Sequence, residues 1–437
     1  MPTVEIHTLG CKLNQAESAA VIRQFAARGF AAVPPGAGAD VCVINTCTVT
    51  HRADRDCRRL IRGAVRRNPA SVILVTGCYA QTEPEQAASL PGVDVVLGTA
   101  EKFRIFDEPD LLAKQAVPRV RVSPAASEKG FGPAFTDGSE GRTRAILKIQ
   151  DGCDYGCSFC TVGPARGPSR SQSLEETVAQ AGVLAGTGFR EIVLTGVNPG
   201  EYGRDRGTDL CALLGGLEQI PGLCRIRLSS LEPNLLTPGL LERMAGSRVV
   251  CPHLHLPLQS GSDGVLRRMR RRYTSSRYRS IVESVRAVLP DAGIGADIIA
   301  GFPGETEEEF RETCRFLAHL PLTYLHVFSY SERPRTPAAL MGDQVSSRCR
   351  SERSGILREI GARMRREFHH SLVGREVEIL AEGETFQGVR SGLTGSYARV
   401  EIPASSAGEN ELVRVRILHE RGGTLVGEVR AREREAA

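Results

Sequence analysis

Cys153-Asp154-Tyr155-Gly156-Cys157-Ser158-Phe159-Cys160 sets three cysteines at spacings of four and three. The run follows a strand-like apolar stretch over 145–150 and precedes a segment rich in Arg, Gly and Pro. Thiolates this close wrap one metal ion or one iron–sulfur cluster. A structural zinc site wants four Cys or His ligands. The next cysteine is Cys211, and no histidine lies between His51 and His253. Three ligands on a 4Fe–4S core leave one iron free to chelate S-adenosyl-L-methionine through its amino and carboxylate groups. An electron from the core then cleaves the sulfonium to a deoxyadenosyl radical. Three buried thiols, or a zinc loop completed from elsewhere, are the plainer alternatives. The C-x3-C-x2-C spacing, with Phe159 before the last cysteine, favours the cluster.

Upstream, strand-like runs over 4–9, 41–45, 72–76 and 93–97 alternate with helical stretches over 16–28 and 53–67. This predicts a parallel α/β domain over 1–125. Cys11, Cys47 and Cys78 each follow such a strand directly. Carboxyl ends of parallel strands line one crevice, so these three converge there as a second cluster site. As small core hydrophobes they would sit inside strands, as Cys42 does, or on an apolar helix face, as Cys57 does. Along the second helix, Arg52, Arg55, Arg59, Arg62 and Arg66 fall on one face. That face either meets RNA phosphates or is simply solvated.

A Gly-, Ser- and Pro-rich stretch beginning near Pro118 reads as a linker, with its core over 126–141. Alternation resumes over 142–370, with strands over 145–150, 191–195, 225–229, 253–257, 296–300 and 324–329. Six strand–helix units predict a partial (β/α)6 barrel whose chemistry sits at the carboxyl ends of the strands. Those ends carry small and polar residues suited to a nucleoside cofactor: Gly196, Asn198, Ser229, Glu232 and Gln259. His253 and His255 alternate along one strand and serve packing or catalysis. Arg267, Arg268, Arg270, Arg271 and Arg272 form a basic run beside Tyr273, either solvated or facing nucleic acid.

A helix over 346–370 is expected to bury Ile356, Ile360, Met364 and Phe368. Beyond it, period-two alternation over 376–380, 386–390, 397–402, 412–418 and 425–429 predicts a small closed β-barrel within 371–434. Such barrels often bind RNA, yet residues 371–434 hold nine arginines against ten acids. Residues 430–435 are expected to fray.

The whole chain has 437 residues, 41% of them apolar, and a net charge of +5. Its length fits about three domains. No apolar run approaches the roughly 20 residues of a membrane span. The first residues lack the pattern of a signal peptide, so a cytoplasmic protein is expected. Thirteen cysteines then point to metal or redox chemistry rather than disulfides. Only five lysines occur, Lys12, Lys102, Lys114, Lys129 and Lys148, a bias that reads as GC-rich coding.

Longer motifs add a resemblance. Residues 8–15 (TLGCKLNQ), 45–50 (NTCTVT) and 77–81 (GCYAQ) are similar to the first domain of the radical S-adenosylmethionine methylthiotransferases. Residues 227–233 (RLSSLEP), 257–262 (PLQSGS) and 301–306 (GFPGET) resemble that family's barrel, and the tail resembles its TRAM domain. Lys12-Leu13-Asn14 and Thr195-Gly196-Val197-Asn198 look like the MtaB-type branch, which acts on threonylcarbamoyladenosine at position 37 of tRNA. The resemblance implies a radical-generating cluster on Cys153, Cys157 and Cys160, and an auxiliary, sulfur-presenting cluster on Cys11, Cys47 and Cys78. It implies one S-adenosyl-L-methionine as methyl donor and a second as radical source, with carbon 2 of the adenine as the site attacked. Its implied partners are a tRNA anticodon stem-loop and a flavodoxin-like or ferredoxin-like electron donor. A monomer is expected. The isopentenyladenosine and ribosomal-protein branches, and a non-catalytic iron–sulfur RNA-binding protein, are the rival readings.

Overall fold

A computed structural model describes residues 1–108, 111–114, 116–138 and 141–430. The expected frayed segment beyond Arg430 lies outside the described residues. Among the described residues, no helix is long and apolar enough to cross a membrane.

The first domain is a six-stranded parallel sheet ordered Ala31–Ala32, Thr3–Thr8, Val41–Thr46, Val72–Gly77, Val95–Leu97, Arg119–Arg121. The central strands Val41–Thr46 and Val72–Gly77 are buried throughout, because helices cover both faces. The sixth strand, Arg119–Arg121, lies inside the stretch whose composition reads as a linker. Further along, Ala134 and Thr136 bond to the first barrel strand, Thr136 N–H to Ile146 O at 3.0 Å and Lys148 N–H to Ala134 O at 2.9 Å. Backbone pairing ties down a segment that its Gly and Pro content marked as loose.

The central domain is a parallel, incomplete barrel. Its strands are Ala145–Lys148, Glu191–Thr195, Arg225–Leu228, His253–His255, Gly293–Ala300 and Tyr324–Ser329. They form two three-stranded sheets joined by a bridge between Ser230 and His255. Side-chain caps fix where many of the chain's helices start. Thr50, Ser173, Asp209, Thr237, Thr274, Thr306 and Ser346 each accept a backbone N–H at a helix N-terminus. Each cap is worth about 1 kcal/mol.

The helix Ser347–Leu372 packs differently from its sequence pattern. Ile356 is 46% exposed, and the buried side carries Arg353, Leu357, Gly361 and Met364. At Gly361 a Cβ would sit 3.0 Å from Leu325 Cβ, so the small residue brings the helix onto the barrel.

The last five strands close into a barrel, the α/β-plus-small-barrel architecture expected. This small barrel plugs the N-terminal mouth of the large one. Arg225 donates to Leu393 O and Glu378 O at 2.8 and 2.7 Å, and Arg227 donates to Gly395 O and Thr394 O at 2.8 and 3.0 Å. Buried Glu191 balances both guanidiniums. Tyr397 stacks on His253 at 4.6 Å, and His253 Nε2 pairs with Tyr324 OH at 2.8 Å. His253 is therefore a packing residue at this junction.

Burial pushes the pKa of His253 well below 6.5, and Arg227 and His255 depress it further. The unfolded chain binds this proton near pH ~6.5 while the folded chain does not, so stability falls as pH drops below that value. Urea midpoints measured down a pH series should decline below pH ~6.5, and His253→Gln should flatten the decline. An unchanged slope in the variant refutes the assignment.

Candidate active site

Both domains bring the carboxyl ends of their strands together. Cys153, Cys157 and Cys160 are half-buried on the loop after the first barrel strands. Tyr155 N–H points at Cys153 Sγ at 3.4 Å, and Val162 N–H at Cys160 Sγ at 3.3 Å. Arg271 donates to Cys157 Sγ at 3.2 Å and to Glu232 Oε2 at 2.5 Å. Burial raises Cys153 to about 12 and Cys160 to about 11, and neighbouring thiols push both the same way. Such sulfurs become stable thiolates only when a metal shares the charge.

The other three cysteines follow their strands as expected. Cys11 caps the helix Lys12–Ala26, Cys47 ends Val41–Thr46, and Cys78 starts the short helix after Val72–Gly77. Gly10 has φ +98°, and a Cβ there would lie 2.9 Å from Cys47 Sγ. The residue before Cys11 thus lies against the second thiol, a closeness only glycine allows. Burial raises Cys47 to about 12, and Cys78 and Cys11 add to the shift. Within each set the thiols perturb one another's titration, with backbone N–H groups and a guanidinium nearby, and such a donor set fits the chemistry of an iron–sulfur cluster.

Beside Cys160 lies a cleft of about 200 Å³. Val49 and Thr50, just past Cys47, form one wall. Phe159, Cys160 and Val162 form a second, with Gln259, Ile299 and Phe328 from the barrel. Gln259 is 8% exposed and holds φ +72°, strain that the surrounding strands impose. Asp297 also faces this cleft, bonded to His255 at 2.9 Å and His326 at 3.3 Å. A wider groove of about 300 Å³ lies where the two barrels meet, away from every cysteine of the two triads.

The residues proposed for a nucleoside cofactor sit on neighbouring strand ends. At Gly196 a Cβ would fall 2.8 Å from Gln150 Oε1. Ser229 Oγ is buried without a hydrogen-bond partner among the described residues, and the Asn198 amide is buried beside the Glu201 carboxylate. Orphaned polar atoms of this kind await a ligand. An amino acid with a ribose offers the donors and acceptors they lack. The donor sets therefore fit both a cluster and S-adenosylmethionine.

Beneath the cysteines runs a buried ionic network that connects the domains. Glu17 receives Arg166 at 2.7 and 3.0 Å, Lys148 at 3.0 Å, and Lys102. Arg166 also donates to Asn14 at 2.7 Å, and Lys148 pairs with Asp151 at 2.7 Å. A second lock joins Arg333 to Asp54 and Thr48, both at 2.7 Å. Of the basic run only the Arg271 side chain is buried, reaching Cys157; Arg268 binds Glu309 at 2.7 Å, Arg272 lies 3.9 Å over Tyr155, and Arg267, Arg270 and Arg272 are exposed. None of these roles for charged residues was visible in the sequence.

Residues 3–98 match the uncharacterized protein family UPF0004, and residues 147–317 match the radical SAM superfamily. The chain is 40% identical to the threonylcarbamoyladenosine tRNA methylthiotransferase MtaB of Bacillus subtilis, covering 96% of this chain and 94% of that one. The chain belongs to the radical SAM methylthiotransferases. Its MtaB relative from Thermotoga maritima is 38% identical over 97% of this chain and 96% of its own length. A tRNA-2-methylthio-N(6)-dimethylallyladenosine synthase from Parafrankia is 38% identical, over 90% and 81% respectively. Among solved structures, the radical S-adenosylmethionine methyltransferase TsrM from Kitasatospora setae superposes with a TM-score of 0.57 at 14% identity, over 89% of this chain and 80% of that one. As a radical SAM methylthiotransferase the chain is an enzyme that uses S-adenosyl-L-methionine and 4Fe–4S clusters.

Proposed function

We propose that this enzyme places a methylthio group on carbon 2 of N6-threonylcarbamoyladenosine at position 37 of tRNA. The observation that carries the reading is the shared cleft: the loop past Cys47 and the loop around Cys160 form facing walls of one space. Cys153, Cys157 and Cys160 would hold one 4Fe–4S cluster, and Cys11, Cys47 and Cys78 a second. Bound there, the two clusters and S-adenosylmethionine supply a sulfur atom, a methyl group and a carbon-centred radical, as an unactivated ring carbon requires.

The chain's own residues prepare that space. Arg271 fixes Glu232 and Cys157 together, which sets the loop against the cofactor pocket. Gly196, Asn198, Ser229, Glu232 and Gln259 line the pocket for S-adenosylmethionine. Phe159, Ile299 and Phe328 give the cleft apolar walls that exclude water from a reactive centre. An unstacked loop base, as in an anticodon stem-loop, enters such a cleft without unpairing a helix. A flavodoxin-like or ferredoxin-like protein would supply the electron, and the enzyme would act as a cytoplasmic monomer.

Anaerobic reconstitution tests the reading. Purified protein should take up about eight irons, two four-iron sites. With S-adenosylmethionine and reductant, nucleosides from bulk tRNA should show a methylthio gain on threonylcarbamoyladenosine by mass spectrometry. A gain on the isopentenyl nucleoside alone would overturn the substrate, and an uptake of about four irons would overturn one cluster site.

A further inference from the structure

We infer that the arginine face of the helix His51–Arg67 is a docking track for the phosphate backbone of the tRNA substrate. The inference rests on the proposed tRNA activity and adds where the RNA lies. The helix carries seven arginines against two aspartates, a net +5. The whole chain's net charge is also +5, so the remainder of the molecule sums to zero. No excess remains when the rest of the chain is summed, although the helix Ser347–Leu372 carries seven arginines against three glutamates.

Little of that charge is neutralised internally. Asp54 turns inward to Arg333 at 2.7 Å. Asp56 is shared between Arg52 at 3.9 Å and Arg59 at 3.3 Å, and Arg67 reaches Glu5 at 4.0 Å. Arg55, Arg62 and Arg66 face no carboxylate among the described residues. Together with Arg58 and Arg59 they form a groove of about 410 Å³ with no other residue type in its lining. On the helix Ser347–Leu372, by comparison, Arg348 and Arg363 pair with Glu352 at 2.8 Å and Glu367 at 3.7 Å, while Arg358, Arg365 and Arg366 are exposed. Like charges three and four residues apart weaken a helix. An unneutralised row therefore costs stability unless an anion covers it.

Position points to the same partner. Thr50, which caps this helix by accepting the Ala53 N–H, lines the cleft beside Cys160. The row leaves the cleft mouth and covers about 17 Å from Arg55 to Arg66 at 1.5 Å per residue. Guanidinium groups bind phosphate oxygens in pairs. A base held in the cleft would thus have its flanking strand laid along the row. The C-terminal barrel caps the far mouth of the large barrel, and residues 371–434 carry nine arginines against ten acids, so it offers no competing track.

The test is the triple variant Arg55→Glu, Arg62→Glu, Arg66→Glu in reconstituted full-length enzyme, with tRNA binding followed by anisotropy across a salt series. Affinity should fall roughly 100-fold, and the slope of log Kd against log salt should shrink by about 2, the share of three phosphate contacts on a single strand. KM for tRNA should rise far more than kcat falls. The corresponding lysine triple should keep most of the affinity, because the charge remains. Arg348→Glu with Arg363→Glu should leave binding as in wild type. Should the reversal variant lose iron, the serine triple at the same positions is read in its place. Wild-type protein that ignores tRNA overturns the activity beneath the inference. Wild-type binding, with unchanged affinity and slope in the triple variant, overturns the track alone.

Discussion

Glu17→Gln is expected to destabilise the protein by about 3–5 kcal/mol, the cost of stripping one partner from a buried ionic cluster. Glu17 is fully buried and takes contacts from three cations that are themselves 0–2% exposed. Burial alone would raise its pKa. Arg166, Lys102 and Lys148 outweigh that and hold it well below the usual carboxylate range. Among the described residues the other carboxylate in the network is Asp151, which Lys148, Arg166 and Arg170 share at 2.7, 3.3 and 3.4 Å. Four cations thus face two carboxylates, and a neutral amide in place of the Glu17 carboxylate would leave them facing one. Lys102→Met removes a surplus cation instead and should cost distinctly less. Because Glu17 belongs to the first domain and Arg166 and Lys148 to the barrel, the loss should also loosen the two domains from each other. Urea midpoints for both variants decide the matter. Equal midpoints for Glu17→Gln and wild type would mean that the network contributes nothing net.

The same network shows what the sequence could and could not reveal. Helix Leu174–Gly186 and strands Glu191–Thr195 and Tyr324–Ser329 fall where patterning places them, since Ser173 caps the helix and turn residues bound both strands. The placement of Cys11, Cys47 and Cys78 at strand ends was legible from the runs before them, and the loop of Cys153, Cys157 and Cys160 from its tight spacing. Glu17, Lys102, Lys148 and Arg166 were not, since they are far apart in sequence and each looks like an ordinary surface charge. One signal was present. In a chain with only five lysines, two are completely buried in this network, so lysine scarcity held information that the coding-bias reading discarded. Runs of like charge were equally opaque. Arg271 is consumed inside and Arg268 is bound to Glu309, whereas the row on His51–Arg67 stays exposed, and nothing in either spacing distinguishes them.

Cys157→Ala should abolish S-adenosylmethionine cleavage while the first domain keeps its cluster. Cys157 is the thiol that Arg271 grips at 3.2 Å, and Arg271 in turn holds Glu232, a residue proposed for the cofactor pocket. Losing it removes one of three ligands and frees a guanidinium that is 2% exposed. Two thiols do not retain a four-iron core, so iron should fall from about eight to about four per chain. Cys11, Cys47 and Cys78 stand on a separate sheet with its own cores, so their iron should remain. The reciprocal variant, Cys47→Ala, should lose the other four irons, keep reductive cleavage of S-adenosylmethionine, and transfer no methylthio group. Iron counts, release of deoxyadenosine and nucleoside mass spectra read all three outcomes from one preparation. Cleavage that survives in Cys157→Ala would reassign the radical chemistry to another site. Methylthio transfer that survives in Cys47→Ala would remove the first domain from the reaction. These paired outcomes are what is expected if the two cysteine sets do different chemistry on one base, with Val49 and Thr50, just past Cys47, and Cys160 lining the same cleft.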